Sequence, residues 1–135
     1  MITKIDKYSI QTLNVGSYNI YSYIMSDDRL KLVNLSYSGV YNQRNHNFIH
    51  SIIEVIYDIL DTYGNIEDIF LPLIDDVSEI YSIDYSFTDY ITVFFKQMIN
   101  SVKYKEEIEQ VNNSLSSFGL TIFECETNYL NIRLL

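Results

Sequence analysis

The sequence predicts an α+β fold, and three observations predict it. Segments of strand length, rich in Ile, Tyr and Val, gather at both ends of the chain. Segments with apolar residues at helical spacing lie between them. A single proline, Pro72, and four glycines leave these segments largely uninterrupted. Strands at both ends with helices between them fit an antiparallel sheet with helices segregated to one face. The expected sheet combines an N-terminal three-strand meander with a C-terminal hairpin, covered on one face by two to three helices. The 135 residues have one domain's length, so residues 1–135 are expected to form a single globular domain, without repeat or linker.

Taken in order, residues 2–13, 17–26 and 29–38 read as strands, separated by the turns "NVGS" and "SDDR". A polar loop, "SYSGVYNQRNHN", follows at 36–47. Residues 46–63 read as an amphipathic helix: Phe48, Ile49, Ile52, Ile53, Ile56, Ile59, Leu60 and Tyr63 recur at its period. Asn45 or Asn47 is placed to cap its start, and Gly64 its end. "DIFLPLI" at 68–74 carries Pro72 and reads as an edge strand or buried connector. A short helical segment is expected at 75–82.

The next helix is expected over roughly 87–102, with a buried stripe of Phe87, Tyr90, Ile91, Phe94, Phe95, Met98, Ile99 and Val102. By this pattern "IYSIDYSFTDY" at 80–90 is the start of that helix, with an acidic outer face. Another helix spans 104–117, where Tyr104, Ile108, Val111, Leu115 and Phe118 fall at spacings of four and three. Its outer face carries the i,i+4 pairs Lys103–Glu107 and Lys105–Glu109. The chain closes as a hairpin about Glu126–Asn128.

Hydrophobic residues make up 47% of the chain, enough for a sizeable core. No apolar run approaches the roughly 20 residues of a membrane span. The first residues alternate polar and apolar, unlike a secretory signal. The lone Cys125 excludes an internal disulfide, so the expected setting is cytoplasmic, the host cytoplasm if the protein is viral. The chain has no Ala but 20 Ile, 13 Tyr and 12 Asn. The abundant three have AT-rich codons, which points to an AT-rich genome: a low-GC bacterium, its phage or a large virus. Part of the tyrosine excess is then genomic background.

Charge is segregated along the chain. Between Asn45 and Phe95, 51 residues contain no Lys or Arg but ten acids: Glu54, Asp58, Asp61, Glu67, Asp68, Asp75, Asp76, Glu79, Asp84 and Asp89. That window carries −10 and the remainder +1, giving the net −9. Such a field repels nucleic acid and attracts basic surfaces, because carboxylates can stand where phosphates would. The same charge also keeps an apolar-rich chain dispersed.

Motifs for chemistry are weak. His46 and His50, at i and i+4, could share a metal, but residue 47 is Asn where the zinc-protease pattern has Glu. Glu54, at i+8, is about 12 Å along the axis from His46, too far for one ion. The stripe reads as a solvated helix face. Cys125 reads as a structural thiol. Adjacent carboxylates such as Asp75 and Asp76 lack the spacing of a calcium loop. With four scattered glycines there is no phosphate-binding loop. The loop at 36–47 shares the Tyr, Ser, Gly and Asn of antibody loops, with Tyr37, Tyr41 and Arg44 as its anchors.

The expected function is therefore that of a small acidic, non-enzymatic protein-binding protein without a cofactor. It would set Glu54, Asp58, Asp75, Asp76, Glu79, Asp84 and Asp89 against a basic, nucleic-acid-binding partner. In a phage, virus or mobile element this describes an inhibitor of the anti-CRISPR or anti-defence kind. The alternatives are a structural homo-oligomer using exposed edge strands, an immunity protein or acidic chaperone, and a small metal-dependent enzyme around His46 and His50. Neither direct nucleic-acid binding nor a membrane is expected.

Overall fold

The computed structural model describes residues 2–5, 8–25, 27–30, 33–85 and 89–135. It has the α+β architecture with antiparallel sheets that the sequence predicts. The N-terminal meander forms a sheet in chain order: β1 (Ile2–Ile5), β2 (Tyr8–Val15), β3 (Tyr18–Met25) and β4 (Val33–Gly39). The single strand expected over 2–13 is divided into β1 and β2. Gly16, at φ 62°, turns β2 into β3 in the left-handed region that favours glycine. Side chains alternate across the pleat. Tyr8, Tyr23, Met25, Leu35 and Tyr37 are buried on one face, while Gln11, Leu13 and Tyr18 meet solvent on the other.

Helix α1 (Gln43–Tyr63) starts three residues before the expected boundary. Its cap is Asn42, whose side chain accepts the Asn45 N–H at 3.1 Å, and not Asn45 or Asn47. Its isoleucines at 49, 52, 53, 56 and 59 are all buried. Each contributes roughly 1.5–3 kcal/mol relative to exposure. Gly64, at φ 83°, ends the helix as expected, its N–H bonding the Leu60 carbonyl at 2.7 Å.

From here the structure corrects several expectations. "DIFLPLI" is neither edge strand nor extended connector. Glu67–Phe70 forms a 3-10 turn that runs into α2 (Leu71–Asp76). Pro72 sits in the first turn of α2, where its missing N–H has no intrahelical partner to lose. The helical segment expected at 75–82 stops at Asp76, and Ile80–Asp84 is strand β5. The helix expected over 87–102 is replaced by strand β6 (Ile91–Phe95). Ile91, Val93 and Phe95 alternate into the core, whereas Met98 and Val102 of the supposed stripe are 73% and 85% exposed. "ITVFF" joins β-branched to aromatic residues, which suit a pleated surface. Phe87 of that stripe lies outside the described residues.

Helix α3 (Lys105–Ser116) and the hairpin of β7 (Leu120–Cys125) and β8 (Tyr129–Leu134) fall where the sequence places them. Lys105 and Glu109 pair at 4.0 Å, while Lys103 lies over the Tyr104 ring instead. The hairpin does not join the meander. It builds a second four-stranded sheet in the order β5-β6-β8-β7. Helix α1 touches both sheets. His46 and His50 reach Tyr23 and Tyr8 of the first sheet, while Ile56 and Ile59 line a small apolar cavity with Val93 and Ile132 of the second. Buried residues of both sheets and of all three helices form one cluster.

Candidate interaction surfaces

The acids of the 45–95 window lie on α1, the 3-10 turn, α2 and β5, except Glu79 just before β5 and Asp89 just before β6. Asp58, Asp61, Glu67, Asp75, Asp76, Glu79 and Asp89 are exposed, whereas Glu54, Asp68 and Asp84 are half-buried. Folding supplies two of them with bases from outside the window. Arg29 bridges Asp27 and Asp61 at 2.9 and 3.0 Å, and Lys96 meets Glu79 at 2.7 Å. The Arg29 hydrogen bonds hold the Asp27 carboxyl down to about 2, and the Lys96 contact lowers Glu79. Among the described residues, no Lys or Arg reaches ion-pair distance of Asp58, Glu67, Asp75, Asp76 or Asp89. Asp75 and Asp76 close the last turn of α2, and neither α1 nor α2 carries a base in its last turn. Acids there oppose the helix dipole, so helix stability is not their reason. Asp75, Asp76, Glu79 and Lys96 line one shallow cleft.

The 36–47 segment is not one loop. Tyr37 belongs to β4 and is 8% exposed, stacked on Tyr21 with centroids 5.0 Å apart. Its hydroxyl accepts the Asn42 N–H at 3.2 Å, so this anchor is spent inside the fold. Tyr41 and Arg44 are exposed. Tyr41 packs edge-on against Tyr21 and tilts against His46.

The histidine stripe is tied to the first sheet rather than wholly solvated. Tyr23 Oη lies 2.8 Å from His46 Nδ1, and Tyr8 Oη lies 3.0 Å from His50 Nδ1. Burial is the main cause that raises both tyrosines' pKa values above 10.0, with Glu54 adding to it at Tyr8 and a side-chain hydrogen bond with Tyr37 at Tyr23. His50 Nε2 approaches Glu54 at 3.8 Å. The two imidazoles are 6.4 Å apart with planes within 15° of parallel. Among the described residues no three His, Cys, Asp or Glu side chains converge to hold a metal. Cys125 ends β7 in the second sheet, away from both histidines, and burial and then Glu126 raise its thiol pKa. The apolar cavity within the core is about 20 Å³, room for one water at most.

One surface was not visible in the sequence. Pairing across the second sheet sets Asp84, Thr92, Asn131 and Glu124 in one row over four strands. Phe94 and Tyr129 flank that row on one side, with centroids 5.6 Å apart. Tyr90 and Phe123 flank it on the other at 5.7 Å. Thr92 Oγ1 donates to Asn131 Oδ1 at 2.7 Å, and both residues are buried. The alternation in "YLNIR" shows that Tyr129, Asn131 and Arg133 share a face, but no local signal aligns them with Thr92 or Glu124.

Comparison with known protein families, curated proteins and solved structures finds no match to this chain. Among the described residues no helix is long and apolar enough to cross a membrane.

Proposed function

We propose that this protein is a non-enzymatic binding protein that sets its acidic surface against a basic, nucleic-acid-handling protein. A phage, viral or mobile-element inhibitor of a host defence factor is the role this chemistry fits. One observation carries the proposal: exposed carboxylates at Asp58, Glu67, Asp75, Asp76 and Asp89 have no cationic partner among the described residues. Charges of this kind act mainly on encounter rate and are screened over ~8 Å at physiological ionic strength. The test begins with affinity capture from the native host, followed by kinetics on the captured protein. Its association rate falls as salt rises, and Lys at Asp58, Asp75 and Asp76 together slows it further while circular dichroism stays unchanged. A rate indifferent to both salt and these three substitutions rejects the proposal.

A second reading, self-association, has its own support. The outward face of β2, β3 and β4 presents Gln11, Leu13, Val15, Tyr18, Ile20 and Ser22, with no Asp, Glu, Lys or Arg at any position of that face. Two copies of a −9 chain repel least where neither carries charge. Sedimentation decides it: a concentration-dependent dimer lost in Ile20→Lys supports this reading, and a monomer throughout rejects it.

A further inference from the structure

We propose that the outward face of the second sheet docks an arginine-bearing extended segment of the basic partner. This rests on the function proposed above and names a second contact, chemically distinct from the helical acids. The face combines ring surfaces with carboxylates. Phe94 pairs with Tyr129, Glu124 pairs with Asn131 two residues along the same strand from Tyr129, and the exposed Glu126 adjoins Tyr129, whose carbonyl accepts the Glu126 N–H at 2.9 Å. Phe123 is 39% exposed but already lies under the Arg133 guanidinium, so the rings offered to a ligand are those of Phe94 and Tyr129. Burial, Glu126 and Glu124 all raise the Tyr129 pKa, which agrees with both carboxylates lying close to that ring.

The floor is fixed. The Thr92 hydroxyl holds Asn131 Oδ1, which leaves the Asn131 amide hydrogens as the donors on that side chain. Aromatic flanks and carboxylates at the edge match a guanidinium, which stacks flat on a ring while its N–H groups fork onto a carboxylate; the buried Thr92–Asn131 pair takes no part, because a guanidinium cannot accept from the Asn131 amide. The face already shows half of this arrangement, with Arg133 lying 5.1 Å from the Phe123 centroid. The other base near this face, Lys96, is held by Glu79. Phosphate-bearing ligands are disfavoured by the same carboxylates. A lysine offers only a point charge, so the aromatic flanks select arginine over lysine whereas bare acidic helices do not.

The experiment is an amide-resolved NMR titration of the intact protein at physiological ionic strength. The probes are two capped peptides of equal length and charge, alternating glycine with arginine in one and with lysine in the other. The arginine peptide is expected to shift amides at 121–126 and 129–133 and to bind about 2–5-fold more tightly than the lysine peptide, the size of one exposed cation–π contact. Tyr129→Leu keeps the apolar bulk without a ring face and removes that preference; Glu124→Gln weakens both peptides. Equal binding of the two peptides, or shifts confined to α1 and α2, overturns this site. Shifts confined to the helices leave the acidic-surface proposal standing, so the two fail separately.

Discussion

Thr92 and Asn131 are the residues whose cost can be isolated most cleanly. Both are buried, and each makes its side-chain hydrogen bond to the other. Thr92→Val keeps the shape but leaves Asn131 Oδ1 without its donor, which costs about 1–3 kcal/mol. Removing both polar groups, with Thr92→Val and Asn131→Leu, is expected to cost less than the two single changes summed. Chemical denaturation of the four proteins measures this coupling, and strict additivity would reject it. Tyr23 gives a pH-dependent counterpart. Burial raises its folded pKa above the ordinary 10.0, so the folded state keeps a proton that the unfolded state releases. Its stabilisation is present below pH 10 and lost as pH rises beyond it. The melting temperature is therefore expected to fall above pH 10, and to fall less steeply in Tyr23→Phe. Equal slopes would show that Tyr23 does not contribute.

At the scale of elements, the start of α1 separates what the sequence states from what folding decides. Three asparagines, Asn42, Asn45 and Asn47, stand near that start, and each is an acceptable cap by residue type. Only the backbone path out of β4 selects Asn42, at φ −132° and ψ 114°. Asn42→Ala is expected to cost about 1 kcal/mol and Asn45→Ala close to nothing, as read by thermal melts. The same limit explains which elements were legible. α1 and α3 carry one-sided apolar stripes, and a glycine stands at or shortly after the end of each, so their period is unambiguous. "ITVFF" is five residues long, and its apolar positions satisfy both a strand and a helix read through to Val102. Its pairing with β8, a non-local contact, decides in favour of the strand. The acids could be located in sequence, but Arg29 reaching Asp61 and Lys96 reaching Glu79 depend on distant chain segments meeting. The row across the second sheet draws on strands 80–84, 91–95, 120–125 and 129–134, so no window of sequence contains it.

At the scale of the whole molecule, the two sheets share α1. One side of that helix engages Tyr8 and Tyr23 through its histidines, and another turns Ile56 and Ile59 toward Val93 and Ile132. Ile53 and Leu60 have no exposed surface. Neither sheet covers its own apolar face: α1 packs on both, and the 3-10 turn and α3 complete the cover of the second. Small domains joined through one core unfold in a single cooperative step. The expected outcome is one transition, coincident by far-ultraviolet dichroism and by tyrosine fluorescence. Ile53→Ala is expected to lower it by about 2–5 kcal/mol, the usual range for emptying a fully buried site. It should lower both signals together, because the cavity opens in the element common to both sheets. Hydrogen exchange adds the local view: amides of β3 and of β6 and β8 should share one opening free energy and lose it equally in the variant. Two separated transitions, or an Ile53→Ala effect confined to one sheet, would mean that the sheets fold independently and that α1 belongs to only one of them.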